Sequence, residues 1–160
     1  MMGTGKSTIG QLLAENLNLN FIDSDRELEK YFAKSIAQVF AEFGEKTFRQ
    51  AETQQLLNLE NNFVLSTGGG LILKEENRKI LKNLGFILWL KASHWAIYER
   101  IKTDSERPLL KANTEEEKLN KIQKILSQRE DLYAEIADLT IETDNLQPNQ
   151  ILEIILTKLN

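Results

Sequence analysis

Gly3-Thr4-Gly5-Lys6-Ser7-Thr8 holds the residue types of the closing half of a phosphate-binding loop. Glycines let a backbone curl until several N–H groups face one point, which makes a nest for anionic oxygen. A helix expected over 7–17, with Ile9, Leu12, Leu13 and Leu17 at helical spacing, adds the positive end of its dipole. Lys6 offers a mobile point charge for terminal phosphates, and Ser7 a hydroxyl for Mg²⁺. With Gly5 as the second glycine of the pattern, the first falls one residue ahead of Met1.

Three further groupings carry chemistry. Asp23 and Asp25 follow a short strand at 21–22, and two carboxylates at that spacing lie on one side of an extended segment. Strand ends are where α/β sheets place metal- and ligand-binding groups, although Ser24 or Asp25 could equally cap the helix expected from Arg26. Arg49 and Glu52 are three apart on a helix that begins at Glu45, after Gly44 has stopped the preceding one. Such a pair is either a solvated ion pair or a buried arginine steadied for an anionic ligand. Ser66-Thr67-Gly68-Gly69-Gly70 follows the strand 63–66, and three glycines in a row suit close approach of backbone to a ligand, or positive φ.

The remaining elements position these groups. Helices are expected at 26–33, 35–43, from 45 through Leu59, 75–83 closed by Gly85, from Ser93, as one long stretch over 115–133, and from Pro148 to Leu159. Short apolar strands fall at 21–22, 63–66, 86–90 and 139–142. Helices alternating with strands predict a parallel sheet in a three-layer α/β/α arrangement. The polar stretch 103–117, which contains Arg107-Pro108-Leu109-Leu110, has the length of a functional loop such as a lid. An arginine there could close over phosphates. Arg129 and Tyr133 lie four apart near the end of the long helix, and His94 reads as an exposed helix residue.

The bulk numbers exclude several classes. The chain has 160 residues, the size of one domain, with no cysteine and one histidine, so thiolate and multi-histidine metal sites are ruled out. A formal net charge of −4 argues against general nucleic-acid binding. No apolar run is long enough to span a bilayer, and no targeting segment precedes the glycine loop. A cytoplasmic protein without nucleic-acid or membrane partners is the expectation.

Taken together, Gly3 to Thr8, Asp23-Ser24-Asp25, Gly44-Glu45-Lys46-Thr47-Phe48-Arg49, Ser66 to Gly70, Arg107 to Leu110 and Arg129 through Tyr133 resemble shikimate kinase, nearly end to end. The resemblance implies a phosphate-loop kinase fold whose parallel sheet has five strands, four of them visible here. It implies one kinase domain over 1–160, with a lid near 103–118 and a substrate-binding helical segment near 26–60. The implied reaction is ATP-dependent phosphorylation of the 3-hydroxyl of shikimate by a monomer, with ATP as co-substrate and Mg²⁺ as cofactor.

Carried onto this sequence, the resemblance gives Gly3, Thr4, Gly5, Lys6, Ser7 and Thr8 to the ATP phosphates, and Ser7 and Asp23 to the metal. Asp25 is implied to bind the substrate hydroxyl and to act as, or near, the base, with Lys6 and Arg107 the cations at the transferred phosphoryl group, and Arg100 and Pro148 the flanks of adenine. Arg49 and Arg129 clamp the shikimate carboxylate, with Glu52 orienting Arg49. Gly69 and Gly70 offer backbone N–H, and Phe40, Phe48, Pro108 and Leu109 wall the pocket. A bidentate carboxylate clamp suits arginine better than lysine.

The pattern is broken at one place, the strand that should deliver the chain into the glycine loop. Without it the sheet would be left as two halves with unpaired inner edges. The expectation is that the native chain begins roughly ten residues earlier, a strand length plus a loop residue. Failing that, the protein would be unstable, inactive or completed by another chain. Two rival readings go with this: a same-fold kinase of another small hydroxy acid such as gluconate, and a catalytically silent nucleotide-binding domain.

Overall fold

Residues 1–60, 62–102 and 114–159 are described by the structure, a computed structural model. The contacts divide the chain into two units, Lys6–Gly85 and Met1–Gly5 with Phe86–Asn160.

In the Lys6–Gly85 unit, α1 (Lys6–Leu17) buries Ile9, Gly10, Leu13 and Ala14; of the four apolar positions expected at helical spacing, Ile9 and Leu13 are buried, Leu12 is half-buried and Leu17 is exposed. Gly10 lets the ring of Phe21 approach the helix closely, since a Cβ there would stand 2.8 Å from Phe21 Cε2. The chain then forms β1 (Asn20–Asp23), which pairs in parallel with β2 (Phe63–Ser66) in the register Asn20↔Phe63 to Asp23↔Ser66. The carboxyl ends of both strands therefore finish side by side on Asp23 and Ser66.

Between the two strands lie α2 (Ser24–Phe32) and α3 (Ile36–Leu57). Leu28 from α2 and Val39 and Phe48 from α3 form their shared core, edged by Phe32, Ile36, Phe40 and Ala51. Ser35 and Gln38 close a reciprocal capping box at the start of α3. The stop expected at Gly44 is a kink at φ 79°, ψ 162°, where the helix before it gives way to the one that carries Arg49. After β2 the glycine run leads into a short 3-10 turn (Leu71–Leu73) and α4 (Glu75–Leu84).

The second unit pairs β3 (Leu88–Lys91) with β4 (Leu139–Glu142), again in parallel. The strand expected at 86–90 is shifted: Phe86 lies outside it, 57% exposed, and Lys91 ends it. Asp138 explains the late start, because its carboxylate accepts the Ile87 N–H at 2.7 Å ahead of the ladder. α5 (His94–Ile101) is capped by Ser93, and its first residue, His94, is exposed as expected.

The single helix expected over 115–133 is two, α6 (Glu115–Ser127) and α7 (Glu130–Ile136). Gln128 and Arg129 turn their N–H groups back to Lys124 and Leu126, ending α6 before Arg129 caps α7. Apolar periodicity could not show this break, because the spacing stays in phase across it. α8 (Pro148–Leu159) closes the chain from the proline that opens it and buries Ile151, Leu152 and Ile155. Among the described residues no helix is long and apolar enough to cross a membrane.

Candidate active site

The glycine loop has the backbone its residues call for. Gly3 and Gly5 sit at φ 70° and 86°, where a side chain is strained. A Cβ on Gly3 would also lie 2.8 Å from the Ile101 side chain. Between the glycines Thr4 is buried, its hydroxyl donating to the Met1 carbonyl at 3.0 Å. Left-handed turns of this kind are the parts from which anion nests are made. Lys6, Ser7 and Thr8 follow as the first turn of α1, where the positive end of the dipole lies.

Ser7 Oγ donates to Asp23 Oδ2 at 2.6 Å and lies 3.3 Å from Ser66 Oγ. The other carboxylate oxygen of Asp23 caps α2, accepting from the N–H groups of Asp25 (3.2 Å) and Arg26 (3.3 Å). The cap is thus Asp23 rather than Ser24 or Asp25. Asp25 stands in the first helical turn, so the two carboxylates are set by a strand-to-helix turn and not by strand alternation. Among the described residues no group of three or more histidine, cysteine or acidic side chains could hold a metal by itself.

Asp25 and Arg49 are brought to the glycine run. A Cβ on Gly68 would collide with Asp25 Oδ1 and stand 3.4 Å from Glu52 Oε1. One on Gly70 would stand 2.7 Å from both terminal nitrogens of Arg49. Neither glycine has positive φ, so close approach alone accounts for the missing side chains. The loop is pinned to α2 by the wholly buried Ser24, whose Oγ accepts the Gly68 N–H at 2.7 Å.

The Arg49–Glu52 pair is not a solvated one. Nη1 of Arg49 donates to Glu52 Oε2 at 2.8 Å, and Glu52 is only 1% exposed. Phe40 and Phe48 lie against the guanidinium, their ring centres 5.8 and 5.5 Å from Cζ. On its Nε and Nη2 edge sits Glu45, at 3.2 and 3.0 Å. Burial works against the charge on Arg49, but hydrogen bonds to Glu52 and Glu45 hold its proton more firmly than usual.

Burial lifts the Asp25 carboxyl above its ordinary range, Asp23 adds to the shift, and Lys6 and Arg49 pull the other way. Glu52 is likewise lifted by burial, with Arg49 opposing. A buried network holds α3 to the segment after the glycines. Thr53 Oγ1 lies 2.8 Å from Asn77 Oδ1, and Asn77 Nδ2 donates to the Leu71 carbonyl at 3.0 Å.

In the second unit Arg129 is buried and hydrogen-bonded to Tyr133, which also stacks on Trp89 at 5.7 Å. Burial pushes the Tyr133 phenol up to about 12, against the pull of Arg129. Arg100 donates to the hydroxyl of the buried Thr143 at 3.1 Å and to its carbonyl. Pro148 is exposed at the start of α8. Arg107, Pro108 and Leu109 lie outside the described residues.

Asp23, Asp25, Arg49, Glu52, Gly68 and Gly70, with Lys6 and Ser7, are therefore assembled within one unit, and Arg100, Arg129 and Pro148 belong to the other. Sequence reasoning missed the parts played by Ser24, Glu45 and Asn77. Only Ser24 left a signal, a small hydroxyl between two aspartates. Glu45 lies four residues from Arg49, but so do many solvated pairs, and nothing marks Asn77.

A family model described as shikimate kinase matches residues 2–160. A shikimate kinase from Persephonella marina is 41% identical, over 99% of this chain and 94% of its own. One from Thermodesulfovibrio yellowstonii is 40% identical, over 97% and 88%. Among solved structures, the shikimate kinase of Acinetobacter baumannii in complex with shikimate superposes with a TM-score of 0.92 at 36% identity, covering 99% of this chain and 88% of that one. That likeness gives the α/β fold with its parallel strands, and with the match along almost the whole length it shows that the chain belongs to the shikimate kinase family.

Proposed function

We propose that this chain transfers the γ-phosphoryl group of ATP to the 3-hydroxyl of shikimate, yielding shikimate 3-phosphate and ADP, with its labour divided as follows. Gly3, Thr4, Gly5, Lys6, Ser7 and Thr8 hold the phosphates, Arg107 neutralises charge at the phosphoryl group in flight, and Arg100 and Pro148 flank adenine. Arg49 and Arg129 take the shikimate carboxylate, while the N–H groups of Gly69 and Gly70 face the substrate. Asp25 accepts the proton of the 3-hydroxyl as its oxygen bonds to the γ-phosphorus and the bond from that phosphorus to the ADP oxygen breaks. Its raised basicity suits that task.

A hydroxyl and a carboxylate in hydrogen-bond contact fit Mg²⁺, which takes few protein ligands and completes its shell with water and phosphate oxygen. Ser7 and Asp23 would hold it, the latter through water, and it would supply charge neutralisation at the β- and γ-phosphates. The same reading makes the chain a single kinase domain and a cytoplasmic monomer without nucleic-acid or membrane partners. Residues 26–60 then serve as its substrate-binding segment and those near 103–118 as its lid.

The observation that carries the roles is the placement of Asp25 and Arg49 against Gly68 and Gly70. A general base and a carboxylate receptor have been given space at the expense of side chains in the loop between them. Initial rates of ADP formation with ATP and either shikimate or gluconate test the reading. Turnover of shikimate is expected. Turnover of gluconate alone would transfer the assignment to the rival acceptor, and nucleotide binding with no turnover of either would make this a silent domain. The family match and the relatives' names do not favour either rival.

A further inference from the structure

Arg49 has two faces to offer, and they are occupied on different terms. Nη1 is committed to Glu52, which is 1% exposed and has nowhere else to go. Of the two edges that can present parallel donors to a planar carboxylate, Nη1–Nη2 already gives Nη1 to Glu52, which leaves the Nε–Nη2 edge. It is taken by a single oxygen, Oε1 of Glu45, at 3.2 and 3.0 Å. Glu45 is 63% exposed, so water can replace what it loses on leaving Arg49. It is also the first residue after the Gly44 kink, where a side chain on the glycine would meet nothing within 4 Å. The backbone next to Glu45 thus has both the conformational freedom and the room to let it move.

We infer that Glu45 is a specificity-determining residue: its carboxylate occupies the receptor edge of Arg49 in the empty site and is displaced there by the carboxylate of the acidic substrate. The inference rests on the proposed clamp by Arg49. Two consequences separate it from simple support of the guanidinium. Glu45 opposes binding of the acid, because every binding event must break its contact. It also keeps Arg49 from capturing weaker anions, since only a ligand that makes both hydrogen bonds and finds further partners can replace it. Glu52 does the opposite, staying in place and aiming the side chain.

Steady-state kinetics and calorimetric titration of Glu45→Gln with shikimate test this. Loss of an exposed competing charge is expected to lower KM and Kd by about two- to fivefold, the factor equivalent to an exposed ion pair of up to about 1 kcal/mol, with the change in KM and not in kcat. Glu45→Ala should move in the same direction. The methyl ester of shikimate, which has no charge to compete with, should gain nothing from either substitution. Unchanged or raised KM in both variants would overturn the inference, because a residue that merely steadies Arg49 must weaken binding when lost. So would an equal gain for the ester. Arg49→Lys in the same assay tests the clamp independently: if it leaves shikimate binding untouched, the reading underneath fails whatever Glu45 does.

Discussion

In the proposed reaction Asp25 takes a proton from an alcohol, a task that raised basicity suits, and burial raises it at a cost to the fold. Burial and the neighbouring Asp23 both disfavour its charge, and Lys6 and Arg49 only partly restore it. The folded carboxyl therefore binds its proton more tightly than an unfolded one at its ordinary 3.8. The destabilisation is fully present above the raised folded value and disappears as pH falls through that value to below the unfolded one. Asp25→Asn is expected to be more stable than the parent near neutral pH, with the gain shrinking in acid, while turnover drops by about a hundredfold or more. Thermal melts at several pH values and initial rates check both halves. The parent's kcat/KM should fall on an acid limb lying above the ordinary aspartate range, and that limb should be missing from the variant.

The two outer glycines of the run make a matched pair of tests at the same scale. In Gly70→Ala the new methyl meets the movable end of Arg49, so the fold should lose under about 1 kcal/mol while shikimate KM rises about tenfold, the expected result of a displaced positioning group. In Gly68→Ala the methyl meets Asp25, the 3.4 Å Glu52 oxygen and a backbone held by Ser24, so kcat and stability should fall together. These residues also show what could be read in advance. Three consecutive glycines announce a close approach whatever lies opposite, whereas two acids two places apart left a site and a helix cap both open, and Asp23 is the cap. The burial of Glu52 could not be read, because a helical spacing of three is the same for a solvated pair and a buried one.

At the scale of elements, the kink in α3 decides where Arg49 points. Gly44 holds φ 79° with ψ 162°, a region essentially closed to side chains, although there is open space around it. Gly44→Ala should thus cost about 1–3 kcal/mol through backbone strain alone. Since no packing is lost, the melting temperature should fall with little change in the shape of the transition. The kink was legible, because a glycine between two apolar stripes is a stop signal. The break between α6 and α7 was not, because Gln128 and Arg129 carry no such signal and end a helix only through the hydrogen bonds they make. Buried at that break, Arg129 is fixed by the first turn of a new helix and by Tyr133, a more rigid mount than the end of one long helix.

For the whole molecule, the alternation of helices and short apolar strands predicted parallel pairing, and both pairings are parallel. The described strands form two two-stranded sheets, β1 with β2 and β3 with β4, each within its own unit. Pattern alone could give strand identity, and the division into these two halves is the one expected from the resemblance. Net charge sets a second condition at this scale. A chain with a formal charge of −4 must bind two anions, so attraction has to come from cations close to the ligand, with more distant carboxylates screened beyond roughly 8 Å at physiological salt.

Binding should then depend on a few guanidinium groups and not on the overall field, and thermal stability can report it. A ligand at about a hundred times its Kd adds about 2.7 kcal/mol to the folded state. For a chain of this size that amounts to roughly 5–10 °C in the melting temperature. Shikimate should raise the parent's melting temperature by that much, and Arg129→Ala should lose most of the rise at the same concentration, as should Arg49→Lys. The ligand-free melting temperature of each variant serves as its own reference, so a fold weakened by the loss of buried Arg129 does not obscure the result. A full shift retained in Arg129→Ala would remove that residue from the proposed clamp and leave Arg49 as its one remaining member.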